Sequence, residues 1–417
     1  MSLRHDQDGD QSRERGMTYS RGLLVAVLSL LPTMGQAYEL SDWDSVTAAA
    51  RGQTVYWNAW GGDPRTNAYI DWVAEQVDQR YGIDLEHVKV GDTGEAVTRV
   101  LAEKAADNED RGAVDLIWLN GENFAAMKEN DLLYGPWAER LPNFSLTAPE
   151  QNPEVREDFT LPVEGYEAPW GRAQLTFYYD SGRVDAPPRS IPALLDWAKA
   201  NPGRFTYPQP PAFLGTTFLK QALLALTEQR EALYAPVGEA DFEAVTAPLW
   251  DYLDRLHPYL WREGERFPSG GPQMRQLMGD GALSLAFTFT PTAPAAGVLD
   301  YQLPPTTRSY ILDGGTLGNV HFVAIPFNAQ HKAGALTIAN FLLSPEAQAR
   351  KQDLALWGDA TVLDMSRLSP DQREAFTRDG RAAESLPPPS LGKTLREPHP
   401  SWIEPLEQAW RQRYGAQ

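Results

Sequence analysis

Apolar positions along this chain fall into alternating blocks of two periods. Residues 54–57, Thr-Val-Tyr-Trp, are β-branched and aromatic and predict a strand. The strand breaks at Gly61-Gly62, and Asp63-Pro64 then opens a helix over 63–80, with Asp as N-cap and Pro at the first turn. Tyr69, Ile70, Val73 and Val77 recur there at helical spacing. Residues 83–90 alternate as a strand. Asp92, with Glu95 three residues on, forms a capping box that starts a helix to about Asp107. Residues 113–119 are nearly continuously apolar, as in a parallel strand covered on both faces, and a helix follows over 124–130. This βαβαβα order predicts a parallel sheet with right-handed crossovers.

Residues 134–165 read as surface connection. Residues 173–179 are a β-rich run, closed by a turn at Asp180-Ser-Gly182. Helices are predicted over 192–200, 218–233, 241–256 and 271–278, and strands over 204–207, 282–290 and 319–325. Lys332 opens an amphipathic helix to 343. Ser344-Pro345 caps another, to about 356, and short helices with a proline run at 387–389 complete the chain. No internal repeat is present.

Length and charge narrow the classes. The chain of 417 residues allows two or three domains. Its net charge of −19 survives removal of residues 1–37, which hold four Arg and four acids. That field disfavours nucleic acid and anionic membranes and mildly favours a cationic ligand. Cysteine is absent, which removes disulfides, thiolate metal sites, a Cys nucleophile and a Cys lipid anchor. Arg21, the apolar run 22–31 and Gly35-Gln36-Ala37 read as a secretory signal peptide cleaved after Ala37, with Met17 as a second candidate start after a polar extension 1–16. The same run read as a membrane anchor is the alternative, although it is too short to span a bilayer.

No catalytic signature emerges. There is no Gly-x-Ser-x-Gly elbow and no His-Glu-x-x-His pair, and Leu391-Gly-Lys-Thr394 has Pro387 where a phosphate loop needs its first Gly. Six histidines lie without ligand spacing, and His87 and His321 read as packed or surface residues. Neither a metal nor a cofactor is expected. What recurs is strand ends mixing aromatic rings with amides, hydroxyls or an acid: Asn58 and Trp60; Asn120, Glu122 and Asn123; Tyr207 with Thr216 and Thr217; Thr288 and Thr290. Such groups suit reversible binding of a polar or cationic small molecule. Structural roles stand beside this reading. Asn120 also suits a helix cap, and Thr216 and Thr217 suit either a cap or a ligand's anionic group.

At this point the chain resembles the solute-binding proteins of bacterial ABC importers, of type II periplasmic-binding fold. The resemblance rests on the signal peptide, Val55-Tyr-Trp-Asn-Ala-Trp60, Val114-Asp-Leu-Ile-Trp-Leu-Asn-Gly-Glu-Asn-Phe124, Pro169-Trp-Gly171, Phe177-Tyr-Tyr-Asp180, Phe287-Thr-Phe-Thr-Pro291 and Ala339-Asn-Phe-Leu-Leu-Ser-Pro-Glu-Ala-Gln348. It covers 38–417 and is greatest to the YnjB-type branch, related to thiamine- and polyamine-binding members.

The resemblance implies an α/β protein of two lobes, each a mixed or parallel sheet covered by helices. Lobe one would hold 38–172 plus 313–417 with the C-terminal helices, and lobe two 173–312. Two hinge strands would join them, near 171–179 and 315–322, with ligand in the cleft. Lobe one would contribute Asn58, Trp60, Glu122 and Asn123, the hinge Trp170 and Tyr178, and lobe two Tyr207, Thr216, Thr288 and Thr290. Glu122 is the carboxylate placed for a ligand's positive charge. A lobe-two carboxylate is not evident at Gln209 or Phe213. The partners implied are a small-molecule ligand and an inner-membrane ABC permease with its ATPase, served by a free periplasmic monomer without lipid anchor. A secreted glycosidase-like hydrolase, using an aromatic cleft and paired carboxylates, is the alternative function.

Overall fold

The computed structural model describes residues 38–376 and 392–415. The signal-peptide segment and the proline run 387–389 lie outside the described residues. The strands are β1 (Thr54–Trp60), β2 (Asp84–Val90), β3 (Leu116–Leu119), β4 (Glu157–Asp158), β5 (Leu161–Pro162), β6 (Glu167–Gln174), β7 (Thr176–Asp180), β8 (Leu285–Thr288), β9 (Thr307–Tyr310), β10 (Thr316–Ala324) and β11 (Thr394–Leu395). β1 pairs in parallel with β2 and β3, β10 runs antiparallel to β3, and β6 runs antiparallel to β10. This mixed sheet is the frame of lobe one. In lobe two, β7 lies between β8 and β9 with both pairings antiparallel.

Most of the local signals act as the sequence dictates. Asp63 accepts the Arg65 amide at 2.8 Å, with Pro64 at the first turn of helix Pro64–Tyr81. At helix Gly94–Ala105 only half of the expected box forms: Glu95 reaches back to the Asp92 amide at 3.1 Å, while Asp92 accepts the Gly94 amide at 2.8 Å and Thr93 is the N-cap, without a side-chain bond. Ser344 caps helix Pro345–Gln352 through the Ala347 amide at 3.1 Å.

Each lobe has its own core. Trp57, Tyr69, Phe124, Trp170, Phe322 and Phe341 belong to that of lobe one. Phe177, Phe205, Tyr207, Phe218, Leu253 and Phe287 belong to that of lobe two. The chain passes from one core to the other between Trp170 and Ala173, and returns between Leu317 and Val320. These two crossings are neighbouring antiparallel strands, tied at their lobe-two end by the Leu175 amide to the Leu317 carbonyl at 2.8 Å. Adjacent crossings hydrogen-bonded side by side can bend together without losing ladder bonds, which suits a hinge.

Four further sequence expectations need correction. β1 runs on to Trp60 because Ala59 and Trp60 stay paired with Lys89 and Val90, so Asn58 lies inside the sheet and not in a loop. Helix Phe213–Leu226 starts five residues before the expected 218, which places Thr216 and Thr217 inside it. Residues 204–207 are not a regular strand. Arg204 and Phe205 still offer carbonyls to Ser284 and Trp261, but Pro208, Pro210 and Pro211 follow at once and cannot donate to a ladder. The C-terminal helix Ile403–Tyr414 is not part of lobe one. β11 pairs in parallel with Thr316 and Leu317 of β10, and Trp402, Leu406 and Trp410 are then buried in the lobe-two core.

Candidate functional site

A cavity of about 790 Å³ opens between the lobes at the carboxyl ends of β1, β2 and β3. Seven of the ten residues singled out in the sequence line it: Trp60, Glu122, Asn123, Tyr178, Thr216, Thr288 and Thr290. Asn58, Trp170 and Tyr207 do not. Asn58 sits mid-sheet between Val88 and Ile117, with its amide nitrogen unpartnered among the described residues. Trp170 lies one residue layer beneath the cleft, edge-on to Trp57 at 5.3 Å and to Trp118 at 4.8 Å. Tyr207 is buried in lobe two, where its hydroxyl takes the Trp410 indole N–H at 2.8 Å and meets His257 at 2.7 Å. Burial holds that imidazole down at about 4, so it is neutral.

Glu122 is placed by a chain of contacts that begins with a glycine. Helix Gly121–Glu129 starts at Gly121, φ +42°, where a Cβ would stand 2.3 Å from the Phe159 ring. Asn120, the expected cap, makes no side-chain cap bond. Asp158, remote in sequence, accepts the Gly121 amide instead, at 2.7 Å. Glu122 therefore occupies the first helical turn, where the backbone favours negative charge. It keeps access to the cleft, yet its carboxyl lies deep. That depth pushes its pKa up to about 7 against the pull of Lys220 and its own amide, with Glu407 and Asp92 adding to the rise. Burial likewise raises Asp158, to about 8, and Glu397 and Glu407.

Sequence reasoning missed Lys220 and Glu407. Lys220, on helix Phe213–Leu226, is buried, pairs with Glu397 at 2.7 Å and lies 4.4 Å over the Phe159 ring. Its signal was present as the one charged residue in the stretch Phe218–Leu224. Glu407 comes from the C-terminal helix and accepts the Thr216 hydroxyl at 2.6 Å. It supplies the lobe-two carboxylate that neither Gln209 nor Phe213 offered. Thr217 does not face a ligand, since its hydroxyl bonds the Phe213 carbonyl at 2.7 Å. His321, which its strand position marks as a packed or surface residue, lines the cleft beside Trp118 and Trp357, held by Asp359 at 3.2 Å. Among the described residues no group of three or more His, Cys, Asp or Glu is arranged for a metal ion, and no helix is long and apolar enough to cross a membrane.

Charged pairs bridge the cleft at its rim. Arg65 grips Asp300 through two bonds, at 2.8 and 3.0 Å, and also donates to the Leu354 carbonyl. Asp63, already the helix cap, meets Arg275 at 3.2 Å. The Thr292 hydroxyl reaches the Gly358 carbonyl at 2.7 Å. Because the Arg65–Asp300 pair is partly solvated, it is worth at most about 1 kcal/mol. Asp300→Ala is therefore expected to shift the ligand-free population toward open forms by roughly twofold to fivefold. Small-angle scattering should show a larger radius of gyration for the variant, and an unchanged radius would count against a closing role.

Comparisons with known proteins agree with this geometry. The family model described as bacterial extracellular solute-binding protein matches residues 72–378. Protein YnjB of Escherichia coli (strain K12) is 47% identical over 389 residues, covering 93% of this chain and 98% of that protein. Among solved structures, the periplasmic binding protein AfuA from Actinobacillus pleuropneumoniae, with exogenous fructose-6-phosphate bound, aligns at a TM-score of 0.62 and 15% identity over 88% of this chain and 99% of that one. The spermidine/putrescine ABC transporter substrate-binding protein PotD from Streptococcus pneumoniae, in complex with calcium and HEPES, aligns at 0.59 and 16% over 87% of this chain and 100% of that one. At these identities the structural likeness shows the fold alone, that of type II periplasmic binding proteins.

Proposed function

Since the chain belongs to the bacterial extracellular solute-binding proteins, we propose that it captures a small organic cation in its interlobe cleft, as a periplasmic monomer, and delivers it to the permease of an ABC importer. One observation carries the choice of cation. The cleft holds a carboxylate from each lobe, Glu122 and Glu407, and the arginines and lysine that line it are already engaged, while Arg411 and Lys220 only partly offset the rise that burial causes at Glu407. Arg65 is paired with Asp300, Arg275 with Asp63, and Lys220 with Glu397. Asp92 adds further negative charge close enough to raise both Glu122 and Glu407. A ligand's positive group would relieve this repulsion, and an anion would increase it. Trp60 and Trp118 from lobe one and Tyr178 from lobe two add aromatic rings to the lining.

Closure on such a ligand is a population shift limited by its differential affinity for closed and open forms. The test is a titration of residues 38–417 after unfolding and refolding to strip any carried-over solute. Putrescine, spermidine and thiamine represent cations, glucose a neutral sugar and fructose-6-phosphate an anion. At least one cation is expected to bind, and at a hundred times its Kd to add about 2.7 kcal/mol of stability, seen as a raised Tm. Tighter binding of the sugar phosphate than of any cation would overturn the charge assignment. The family membership would stand in that event.

A further inference from the structure

The two ends of the cleft differ in chemistry, and one helix measures the distance between them. Helix Phe213–Leu226 presents Phe213 and Leu214 at its start and Lys220 seven residues later, about 10 Å along the axis. Glu122 stands by Lys220, and Glu407, bonded to the Thr216 hydroxyl at 2.6 Å, stands between Lys220 and Phe213. At the Phe213 end the wall is apolar. Phe213 meets Phe289 edge to face at 5.1 Å, and Ala296 and Leu303 line the same cavity. Leu214 lies against helix Gly271–Gly279, where a Cβ on Gly271 would come within 3.0 Å of it.

Several polar groups on that side are held within the protein. Arg275, on the helix that Leu214 touches, is held by Asp63. The Gln273 side chain accepts the Ser269 amide at 2.8 Å, and Thr288 accepts the Thr290 amide at 3.3 Å. The cavity, at about 790 Å³, falls in the upper part of the range of drug-sized sites, about 300–1,000 Å³. A compact amine held at the acidic end would leave the Phe213 wall against water, where apolar surface gains nothing.

Resting on the cation reading above, we propose that the ligand is an amphipathic cation: its charged head lies between Glu122 and Glu407, and its apolar body extends to the Phe213–Phe289 wall. The acids set the sign of the head group, and the wall selects the body by area removed from water.

Titration calorimetry on ligand-stripped residues 38–417 tests this with tetramethylammonium and its butyl-, hexyl- and octyl-trimethylammonium homologues, each below its micellar concentration. Affinity is expected to rise roughly fourfold per added methylene, the factor for burying one CH₂. Octyl sulfate, with the same tail and the opposite head, is expected not to bind. Phe213→Ala should lower octyl-trimethylammonium affinity at least tenfold and leave tetramethylammonium unchanged. If that variant loses Tm, Leu214→Ser reads the same wall.

A series flat in chain length, with binding still lost in Glu122→Gln, would overturn this proposal and leave the cation reading intact. Equal weakening of long and short homologues by Phe213→Ala would overturn it too. Absence of binding by every cation would overturn the cation reading itself, and octyl sulfate binding as well as the ammonium would remove the charged head from both.

Discussion

Glutamine at position 122 is expected to cost a bound cation about tenfold to a hundredfold in affinity, the worth of a hydrogen bond to a charged group. It is also expected to flatten the pH dependence of binding. The sign follows from the site. Burial pushes the Glu122 carboxyl up to about 7, so below that value the empty cleft holds it neutral. A cation needs it ionised. Affinity should therefore climb with pH, by at most tenfold per unit below about 7, and level off above. Asp158, pushed up to about 8, adds a weaker slope beyond that point.

The ligand-free protein should behave in the opposite sense. Between the ordinary 4.5 and about 7 the unfolded chain releases the Glu122 proton and the folded one keeps it, so stability falls as pH rises through that window. Calorimetry from about pH 5 to 8 reads the first effect and urea unfolding the second. A wild-type affinity that is flat or falls with pH, or a glutamine variant that binds as tightly, would remove Glu122 from the ligand's charge.

The second large effect is structural. Asp359→Ala is expected to cost about 3–5 kcal/mol of folding stability, because it leaves a lysine charge buried without its partner. Lys351 and Asp359 are both fully buried in lobe one and stand 2.8 Å apart. Lys351 also donates to the Ala360 carbonyl at 2.9 Å, and the other Asp359 oxygen meets His321 at 3.2 Å. Gly171 makes room for the pair. A Cβ there would stand 2.3 Å from the Asp359 carboxylate and 2.6 Å from the lysine nitrogen. Burial alone would raise the Asp359 carboxyl, but Lys351 and His321 pull it below its ordinary value. The carboxylate's share of that stability is therefore present at neutral pH and lost on acidification through the lowered value, while burial lowers the Lys351 ammonium against the pull of Asp359. Urea unfolding of Asp359→Ala against wild type measures the loss. The double variant Lys351→Met, Asp359→Leu is expected to recover most of it, since similar-sized apolar groups replace buried ion pairs at little cost. A single variant within about 1 kcal/mol of wild type would show that Lys351 finds water or another partner.

Much of lobe one was legible from the residues alone. β1, β2, β3 and the helices between them follow from period and capping, and each signal lies within a few residues of what it specifies, as with Asp63 on Arg65 or Ser344 on Ala347. The same holds for Trp60, Glu122 and Asn123, which stand where strands hand over to helices. Lobe two was less legible. Its helix Phe213–Leu226 carries mixed signals at its start, and residues 204–207 lose regular pairing to the prolines beyond them.

The sequence by itself therefore determined the α/β class, the order of elements and which strand ends could carry a site, because these depend on contacts between near neighbours in the chain. Only the tertiary structure decided which residues face the cleft and what charge they carry. Asn58 and Trp60 are two residues apart on one strand, yet one is sealed by β2 and β3 and the other is open. Glu407 meets Thr216 across 191 positions, and Lys220 pairs with Glu397 of the C-terminal segment. Burial and Coulomb interaction act through space, and local periodicity carries no record of them.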